Sequence, residues 1–137
     1  MAEYLVKQGP LPDQILCSTA TRARQTLAPL VELLASVPPI SLEKGLYLAS
    51  EDALMARLRD LPSEVGAVLL VGHYDGIGEF AAGLAGRGKA AALAAVREKY
   101  PTGALSVLAA PIERWSELAF GAAELQAFVR PRDLVTS

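Results

Sequence analysis

Short continuous apolar runs alternate with stretches of helical spacing along this chain. A run without polar alternation predicts a strand that is buried on both faces. Three such runs predict strands, and a fourth segment alternates weakly, as a half-exposed strand does. The four are residues 14–17, 65–71, 104–109 and 114–120, with the last two joined at 111–113 as a hairpin or by a short connection.

Between these strands, apolar residues recur at helical spacing. A short first helix ends at Gly9-Pro10, and further helices are expected over residues 22–35, 51–58, about 76–85, and 89–99. Ser50 is the expected N-cap of the helix 51–58, and Ser18 or Thr21 that of the helix 22–35. Pro29 should kink the latter helix or start a second segment, because its ring clashes with the preceding turn.

The alternation of strands and helices places the fold in the α/β class. We predict a single domain, residues 1–137, in which helices cover both faces of a mixed, mostly parallel sheet as a three-layer sandwich. The first helix begins at Met1 with no capping residue before it, as the end of a longer helix would. We therefore expect that the domain is N-terminally truncated.

Composition narrows the classes of function. The 137 residues are 52% hydrophobic and 20% charged, which suits a folded domain. The net charge of −2, without a lysine or arginine run, argues against nucleic acid and anionic membranes as partners. A lone cysteine, the absence of any apolar run of about 18 residues and the absence of a signal peptide predict a cytoplasmic protein.

The candidate chemistry lies at two predicted strand-to-helix junctions, Ser18–Arg24 and Gly72–Gly78. Arg22 and His73, the only histidine, each follow a predicted strand. The carboxyl ends of parallel strands share one edge of a sheet, so these two side chains can converge. Each junction also offers the free N–H groups of a helix N-terminus to an anion. A guanidinium, an imidazole and two helix N-termini at one edge of the sheet therefore predict a phosphate-binding site there. The alternative is a structural His73 that bonds to backbone groups.

Other chemistries fit the same residues poorly. A cysteine-based phosphatase loop would need an arginine where this chain has Ala23, so we interpret Cys17 as a buried strand residue. Residues 76–81 match a relaxed dinucleotide-binding pattern, but the acidic partner would be Glu98, inside a predicted helix. One histidine and one cysteine cannot supply a zinc cluster, and Ser18 has no second histidine to activate it.

The two junctions resemble motifs of the histidine phosphatase superfamily. Ser18–Thr26 (STATRARQT) is similar to its S-x-x-x-R-A-x-Q-T motif, and Gly72–Gly78 (GHYDGIG) to its second-histidine motif, usually G-H-N-P-G. Within the superfamily the SixA-type phosphohistidine phosphatases match best, because Leu46–Ser50 and Arg130–Leu134 are also similar. The resemblance runs in order along essentially the whole chain.

The resemblance implies a phosphatase that needs neither a metal nor an organic cofactor. In this superfamily a first histidine, in an R-H-G or R-H-A motif at the end of the first strand, attacks phosphorus, and water hydrolyses the phosphohistidine. Arg22 matches the arginine that holds the phosphoryl oxygens, and His73 matches the second histidine, which donates to the same oxygens. Arg24 lies roughly 200° around the helix from Arg22 and should face away from it.

The sequence also departs from the superfamily pattern. It holds no R-H-G motif, so the nucleophile and the strand that carries it are missing from these residues. Tyr74 and Asp75 replace the usual Asn-Pro. Asp75 would weaken phosphate binding if it pointed inward, and Tyr74 would then narrow the pocket or offer a hydroxyl. Alternatively, both side chains point outward.

Three hypotheses follow. The first is a SixA-type phosphatase acting on a phosphohistidine protein or a small phosphorylated molecule; its nucleophile lies outside these residues, so the chain alone is inactive or nearly so. The second is a non-catalytic phosphate-binding or regulatory module that keeps Arg22 and His73 as ligands. The third is a fragment that folds only by pairing with another chain. We favour the first, and the sequence leaves the oligomeric state open.

Overall fold

The computed structural model describes residues 1–8, 10–101 and 103–134. Within these ranges, helices and strands alternate, with short 3₁₀ turns at Lys44–Leu46, Trp115–Glu117 and Pro131–Leu134. The helices are α1 (Ala2–Gln8), α2 (Thr21–Leu33), α3 (Glu51–Arg59), α4 (Tyr74–Leu84) and α5 (Ala90–Glu98). The strands are β1 (Gln14–Ser18), β2 (Ile40–Glu43), β3 (Val68–Val71), β4 (Ala85–Gly88), β5 (Leu105–Ala109) and β6 (Ala123–Val129).

The strands form two three-stranded sheets. In the first, of order β2-β1-β3, both pairs are parallel. In the second, of order β4-β6-β5, β6 is parallel to β4 and antiparallel to β5. Three of the four strand pairs in the described part of the chain are therefore parallel. The prediction of a mixed, mostly parallel α/β fold is confirmed.

Helices cover the first sheet on both faces. Along β1, successive side chains point to opposite faces, as the pleat requires. Ile15 and Cys17 pack with buried residues of α1 and α2, whereas Leu16 packs with buried residues of α3 and α4. All three are fully buried. This arrangement is the helix–sheet–helix layering that the sequence predicts.

Several helix predictions are also confirmed. The Ser50 hydroxyl accepts a hydrogen bond of 3.1 Å from the Ala53 N–H and so caps α3. α5 ends at Glu98, ahead of Pro101. α2 passes through Pro29 as one helix, so the alternative of a second segment there is wrong. None of the described helices has the length and apolar character needed to cross a membrane.

Residues 114–120 do not form the predicted strand or hairpin. Trp115–Glu117 is a 3₁₀ turn. The Glu117 carboxylate accepts hydrogen bonds from the N–H groups of Glu113 and Arg114, at 3.1 and 2.8 Å. These local bonds satisfy backbone donors within the turn, which removes the need for a strand partner. The strand that pairs with β5 is β6, and neither it nor β2 nor β4 was predicted.

β3 differs from its prediction in both length and burial. It begins at Val68 rather than Val65, and of its four residues only Val71 is buried. The expectation of a fully buried strand over 65–71 is therefore wrong. The cause is the position of the strand: β3 pairs with β1 on one edge, and its other edge faces a cavity.

Candidate functional site

The two candidate junctions lie side by side at one edge of the first sheet. β1 and β3 are adjacent and parallel, with Cys17 in register with Val71. α2 begins just after β1 and α4 just after β3, so both helix N-termini open onto this edge. The prediction that the Ser18–Arg24 and Gly72–Gly78 segments meet at the carboxyl ends of parallel strands is confirmed.

The turn from β1 into α2 is held by Ser18. Its buried hydroxyl accepts a hydrogen bond of 3.2 Å from the Ala20 N–H. The N-cap of α2 is Ala20, which has no capping side chain, so the expectation of Ser18 or Thr21 at this position is wrong. Ser18 instead stabilises the turn that precedes the N-cap, through its bond to the Ala20 N–H. This turn places Arg22 in the first turn of α2 with an exposed side chain.

His73 occupies the N-cap position of α4. Its backbone carbonyl accepts a hydrogen bond of 2.9 Å from the Ile77 N–H, which starts the helix. Its ring contacts Tyr47 edge to face, with 5.0 Å between ring centroids and 82° between ring planes. The Nε2 atom is buried and makes no hydrogen bond to any group that the structure describes, the side chains of Tyr74 and Asp75 lying outside that description. A buried polar atom without a partner is costly, so Nε2 is a site that favours a ligand.

Arg22 and His73 line the same cavity, which has a volume of about 710 Å³. Arg24 does not line it; its guanidinium donates to the Thr21 hydroxyl at 3.5 Å. The helical spacing therefore separates the two arginines as expected. The two residues that the sequence singled out both line this cavity, and their neighbour Arg24 does not.

The glycines after His73 serve helix packing. A Cβ atom at Gly76 would lie 3.1 Å from the Ala49 carbonyl oxygen, and one at Gly78 would overlap the Tyr100 side chain. Small residues are needed here because α4 packs closely on two neighbouring segments. Glu98 lies at the end of α5 rather than after a second strand, which agrees with the rejection of a dinucleotide site.

Cys17 is unsuited to nucleophilic chemistry. It is fully buried in β1, and burial raises the pKa of its thiol, although the positive charge of Arg24 acts in the opposite direction. Its Sγ donates a hydrogen bond to the Ser18 carbonyl at 3.3 Å. The interpretation of Cys17 as a buried strand residue is confirmed.

Tyr47 was missed as a neighbour of the site. It follows β2 and a 3₁₀ turn, and β2 is parallel to β1, so its loop opens at the same edge. The sequence marked Leu46–Ser50 only as a family resemblance, and without knowledge of β2 it did not place Tyr47 beside His73. The side chains of Tyr74 and Asp75 lie outside what the structure describes, so the expectations for them stay predictions.

Comparison with known proteins places the chain among longer relatives. An uncharacterized protein of Mycobacterium leprae strain TN is 34% identical over 130 residues, which cover 94% of this chain and 78% of the relative. An uncharacterized protein of Mycobacterium tuberculosis strain H37Rv is 35% identical over 125 residues, covering 90% of this chain and 76% of the relative. The chain belongs to the family of these mycobacterial proteins. No protein-family model matches its sequence.

Solved structures give the fold of this family member. The candidate phosphohistidine phosphatase SixA from Nakamurella multipartitia superimposes with a TM-score of 0.81 at 28% identity, over 95% of this chain and 77% of the other. Its counterpart from Agrobacterium tumefaciens gives 0.75 at 25% identity, over 95% and 75%. A SixA protein histidine phosphatase complexed with tungstate gives 0.71 at 22%, over 98% and 78%. The chain has the fold of the SixA-type phosphohistidine phosphatases.

Proposed function

We propose that Arg22 and His73 form the phosphoryl-binding part of a phosphatase site. The observation that carries the proposal is the buried Nε2 atom of His73, which lacks a partner in the described residues and lies in the cavity that Arg22 also lines. A phosphoryl oxygen would satisfy this nitrogen, if it is protonated, and would bond to the guanidinium at the same time.

The surrounding backbone favours the same ligand. α2 and α4 have 13 and 11 residues, and both direct their N-termini to this edge. The free N–H groups and the dipole of each helix attract an anion there. Donors that are already in place before reaction stabilise the charge that spreads over a phosphoryl group during transfer.

We propose further that the site acts through a phosphohistidine intermediate, as the family resemblance implies. A histidine nitrogen attacks phosphorus, the bond to the leaving nitrogen or oxygen breaks, and the leaving group takes up a proton. Water then cleaves the phosphohistidine to release phosphate and restore the imidazole. The sequence holds a single histidine, His73, in the supporting role. The attacking histidine must therefore come from outside these 137 residues.

The proposed substrate is a phosphorylated molecule whose phosphate group reaches the edge between α2 and α4. Structural neighbours are described as phosphohistidine phosphatases, which supports a phosphohistidine protein as the substrate. Tyr47 is half exposed beside His73 and is placed to contact the group that carries the phosphate. A small phosphorylated molecule would use the same two ligands and fewer contacts outside the cavity.

Titration calorimetry with inorganic phosphate and with tungstate, a tetrahedral anion of similar shape, tests the binding step. Loss of a charge-assisted hydrogen bond should raise Kd about 10- to 100-fold in Arg22→Ala and in His73→Ala. Arg22→Lys should keep the charge and lose the forked contact, and so fall between wild type and Arg22→Ala.

Arg24→Ala is the matched control, because Arg24 lies on the same helix, carries the same charge and does not line the cavity. It should leave Kd nearly unchanged. Equal losses of affinity in Arg22→Ala and Arg24→Ala would show a diffuse charge effect rather than a binding site. An unchanged Kd in Arg22→Ala would contradict the proposal.

A second candidate is a non-catalytic phosphate-binding or regulatory module. The presence of only one histidine favours it. This candidate predicts binding that depends on Arg22 and His73, with no phosphate release from any phosphorylated substrate even when a segment carrying a second histidine is supplied. Release of phosphate under that condition would exclude it.

A further inference from the structure

Tyr47 reaches His73 across the end of the central strand of the first sheet. β2 and β3 lie on opposite sides of β1, so roughly 10 Å separates the strand before Tyr47 from the strand before His73. The two rings nevertheless meet, with 5.0 Å between their centroids and 82° between their planes. Aromatic pairs prefer this edge-to-face arrangement. The segment after β2 therefore bridges two strand spacings and ends at the candidate site.

The loop that carries Tyr47 is fixed at both ends. On one side, Leu46 is buried in the apolar cluster of α3 and α4, and the Tyr47 N–H donates to the Lys44 carbonyl at 3.0 Å. On the other side, Ser50 caps α3. Residues 47–49 lie between these anchors, so the position of the Tyr47 ring depends on the backbone of three residues.

Leu48 gives this backbone an unusual shape. Its φ is 50°, in the left-handed region that residues with a Cβ atom rarely adopt. Its side chain is 68% exposed, so packing of that side chain does not select the conformation. The backbone at Leu48 therefore carries strain, which persists only where the surrounding contacts hold it in place.

The contacts that hold this turn lie at the start of α4. Tyr47 precedes Leu48 and contacts the ring of His73, the N-cap of α4. Ala49 follows Leu48, and its carbonyl oxygen would lie 3.1 Å from a Cβ atom placed on Gly76. The left-handed residue thus lies between two residues that both contact the start of α4. We infer from this that the turn holds the Tyr47 ring against His73.

We propose that Tyr47 is a positioning residue for His73, kept in place by the left-handed turn at Leu48. The ring contact fixes the plane of the imidazole and so keeps its buried Nε2 atom in one place beside the cavity that Arg22 also lines. The effect on anion binding rests on the proposed function, because it requires that Nε2 bind a phosphoryl oxygen. The fixed ring itself rests only on the contacts of residues 47–49.

A fixed imidazole strengthens binding although Tyr47 need not touch the anion. A ring that is free to turn loses rotamer freedom when an anion binds to it, and that loss weakens binding. A ring already held by an edge-to-face contact avoids most of the loss. The contact with Tyr47 should therefore raise the affinity for an anion about 2- to 10-fold, the range that one aromatic pair supplies.

The single histidine of the chain makes the fixed ring directly measurable. In protein without a histidine tag, ¹³C-labelled histidine reports His73 alone, and NMR relaxation gives the order parameter of its ring C–H bonds. We expect a value near that of rigid backbone, about 0.85, in wild type and a value below about 0.6 in Tyr47→Leu. Tyr47→Phe keeps the aromatic ring and should keep the order parameter.

The same variants are titrated with tungstate by calorimetry, after circular dichroism has shown that each is folded. The Kd should rise about 2- to 10-fold in Tyr47→Leu and stay within about twofold of wild type in Tyr47→Phe. The conservative variant therefore separates the aromatic contact from the hydroxyl.

Leu48 offers a matched pair of backbone variants that leave both rings unchanged. Leu48→Ile keeps the size and apolar character of the exposed side chain, but a β-branched residue strongly disfavours a positive φ. Leu48→Gly favours it. We expect Leu48→Ile to lower the order parameter of His73 and raise the Kd for tungstate, in the same direction as Tyr47→Leu. Leu48→Gly should leave both near their wild-type values.

Three outcomes would overturn the positioning role. The first is an order parameter of His73 that is the same in wild type, Tyr47→Leu and Leu48→Ile. The second is an unchanged Kd in Tyr47→Leu when His73→Ala raises it. The third is an equal loss of affinity in Tyr47→Phe and Tyr47→Leu, because the hydroxyl would then bind the anion itself. Failure of the proposed function looks different: His73→Ala leaves the Kd unchanged, while the order parameters still show a ring held by Tyr47.

Discussion

β1 and β3 are neighbouring apolar strands of the same sheet, yet they differ sharply in burial. Ile15, Leu16 and Cys17 of β1 are 0% exposed. In β3, the residues before Val71 are only half-buried, although their side chains are just as apolar. Both strands have helices on each face, so coverage of the faces cannot explain the contrast. The difference lies in the edges, because within the described residues β1 has a strand partner on each side and β3 on one.

The contrast shows that burial here depends on pairing as well as on apolar sequence. It also relates the candidate site to β3, since Arg22 and His73 line the same cavity as the residues of that strand. Of the two proposed ligands, Arg22 therefore follows a strand that is paired on both sides, and His73 follows one that is paired on a single side within the described residues.

The largest expected effect comes from a matched pair of truncations. Leu16 and Leu70 are register partners on β1 and β3, and both pack against the cluster of α3 and α4. Leu16→Ala should lower the free energy of unfolding by about 2–5 kcal/mol, because it opens a cavity in a sealed core. Leu70→Ala should cost about 1–2 kcal/mol, because its side chain is already partly exposed. Urea denaturation followed by circular dichroism measures both.

The two truncations also test the explanation of the contrast. Equal losses in the free energy of unfolding for Leu16→Ala and Leu70→Ala would show that strand pairing does not limit burial at β3.

Much of the fold and the site could be predicted because local signals agreed with tertiary structure. β1 and α5 follow from apolar pattern and composition, and α3 follows from the Ser50 cap. The junction carrying Arg22 and the junction carrying His73 could be placed on one edge because parallel strands share their carboxyl ends. These inferences need only short-range pattern and the rules of sheet geometry.

The failures have an equally physical origin. β6 (AELQAFV) mixes polar and apolar residues, and β4 (AGRG) has little strand propensity, so neither shows a strand pattern. Their pairing is a long-range property. The 3₁₀ turn at Trp115–Glu117 depends on a side-chain carboxylate that bonds to its own backbone. The half-burial of β3 depends on what lies beside it, which its own residues do not encode.

A smaller effect is expected just before β3, where residues 65–67 line the cavity. Asp13, before β1, accepts hydrogen bonds from the N–H groups of Gly66 and Ala67 at 2.9 and 3.0 Å. The Trp115 indole Nε1 donates to the Val65 carbonyl at 2.8 Å. Trp115→Phe removes that donor and some packing, and should destabilise the fold by about 1–2 kcal/mol. Hydrogen exchange should accelerate around the start of β3 and stay unchanged in β1.

Arg114→Ala serves as the control for this contact. Arg114 is the adjacent exposed residue, and it takes part in the turn through its backbone: its N–H donates to the Glu117 carboxylate and its carbonyl accepts from the Glu117 N–H, at 2.8 and 3.0 Å. Its substitution should change the free energy of unfolding by less than about 0.5 kcal/mol. Faster exchange in β1 after Trp115→Phe would show that β1 and β3 open together, and the contrast between the paired and the half-paired strand would then fail.

The smallest effect concerns the outer edge of the first sheet. Arg57 of α3 donates to the Glu43 carboxylate of β2 from Nε at 2.7 Å and from Nη2 at 2.8 Å, and the Ser41 hydroxyl adds a third bond. The hydrogen bond from Arg57 is the main reason that the pKa of Glu43 lies below its usual 4.5, and burial opposes it. The pair contributes about 1 kcal/mol, since both side chains keep contact with water.

The sign of the pH dependence follows from the lowered pKa of Glu43. The folded state holds the carboxylate more tightly ionised than the unfolded state, so the stabilisation is complete above the usual value and disappears as pH falls through the folded pKa. The difference in the free energy of unfolding between wild type and Glu43→Gln should be constant near neutral pH and should disappear in acid. Glu124→Gln is the control, because its contact with Arg87 is 3.7 Å long and largely exposed, and should contribute almost nothing. A difference between wild type and Glu43→Gln that persists in acid would mean that Glu43 stabilises the outer edge through packing rather than charge.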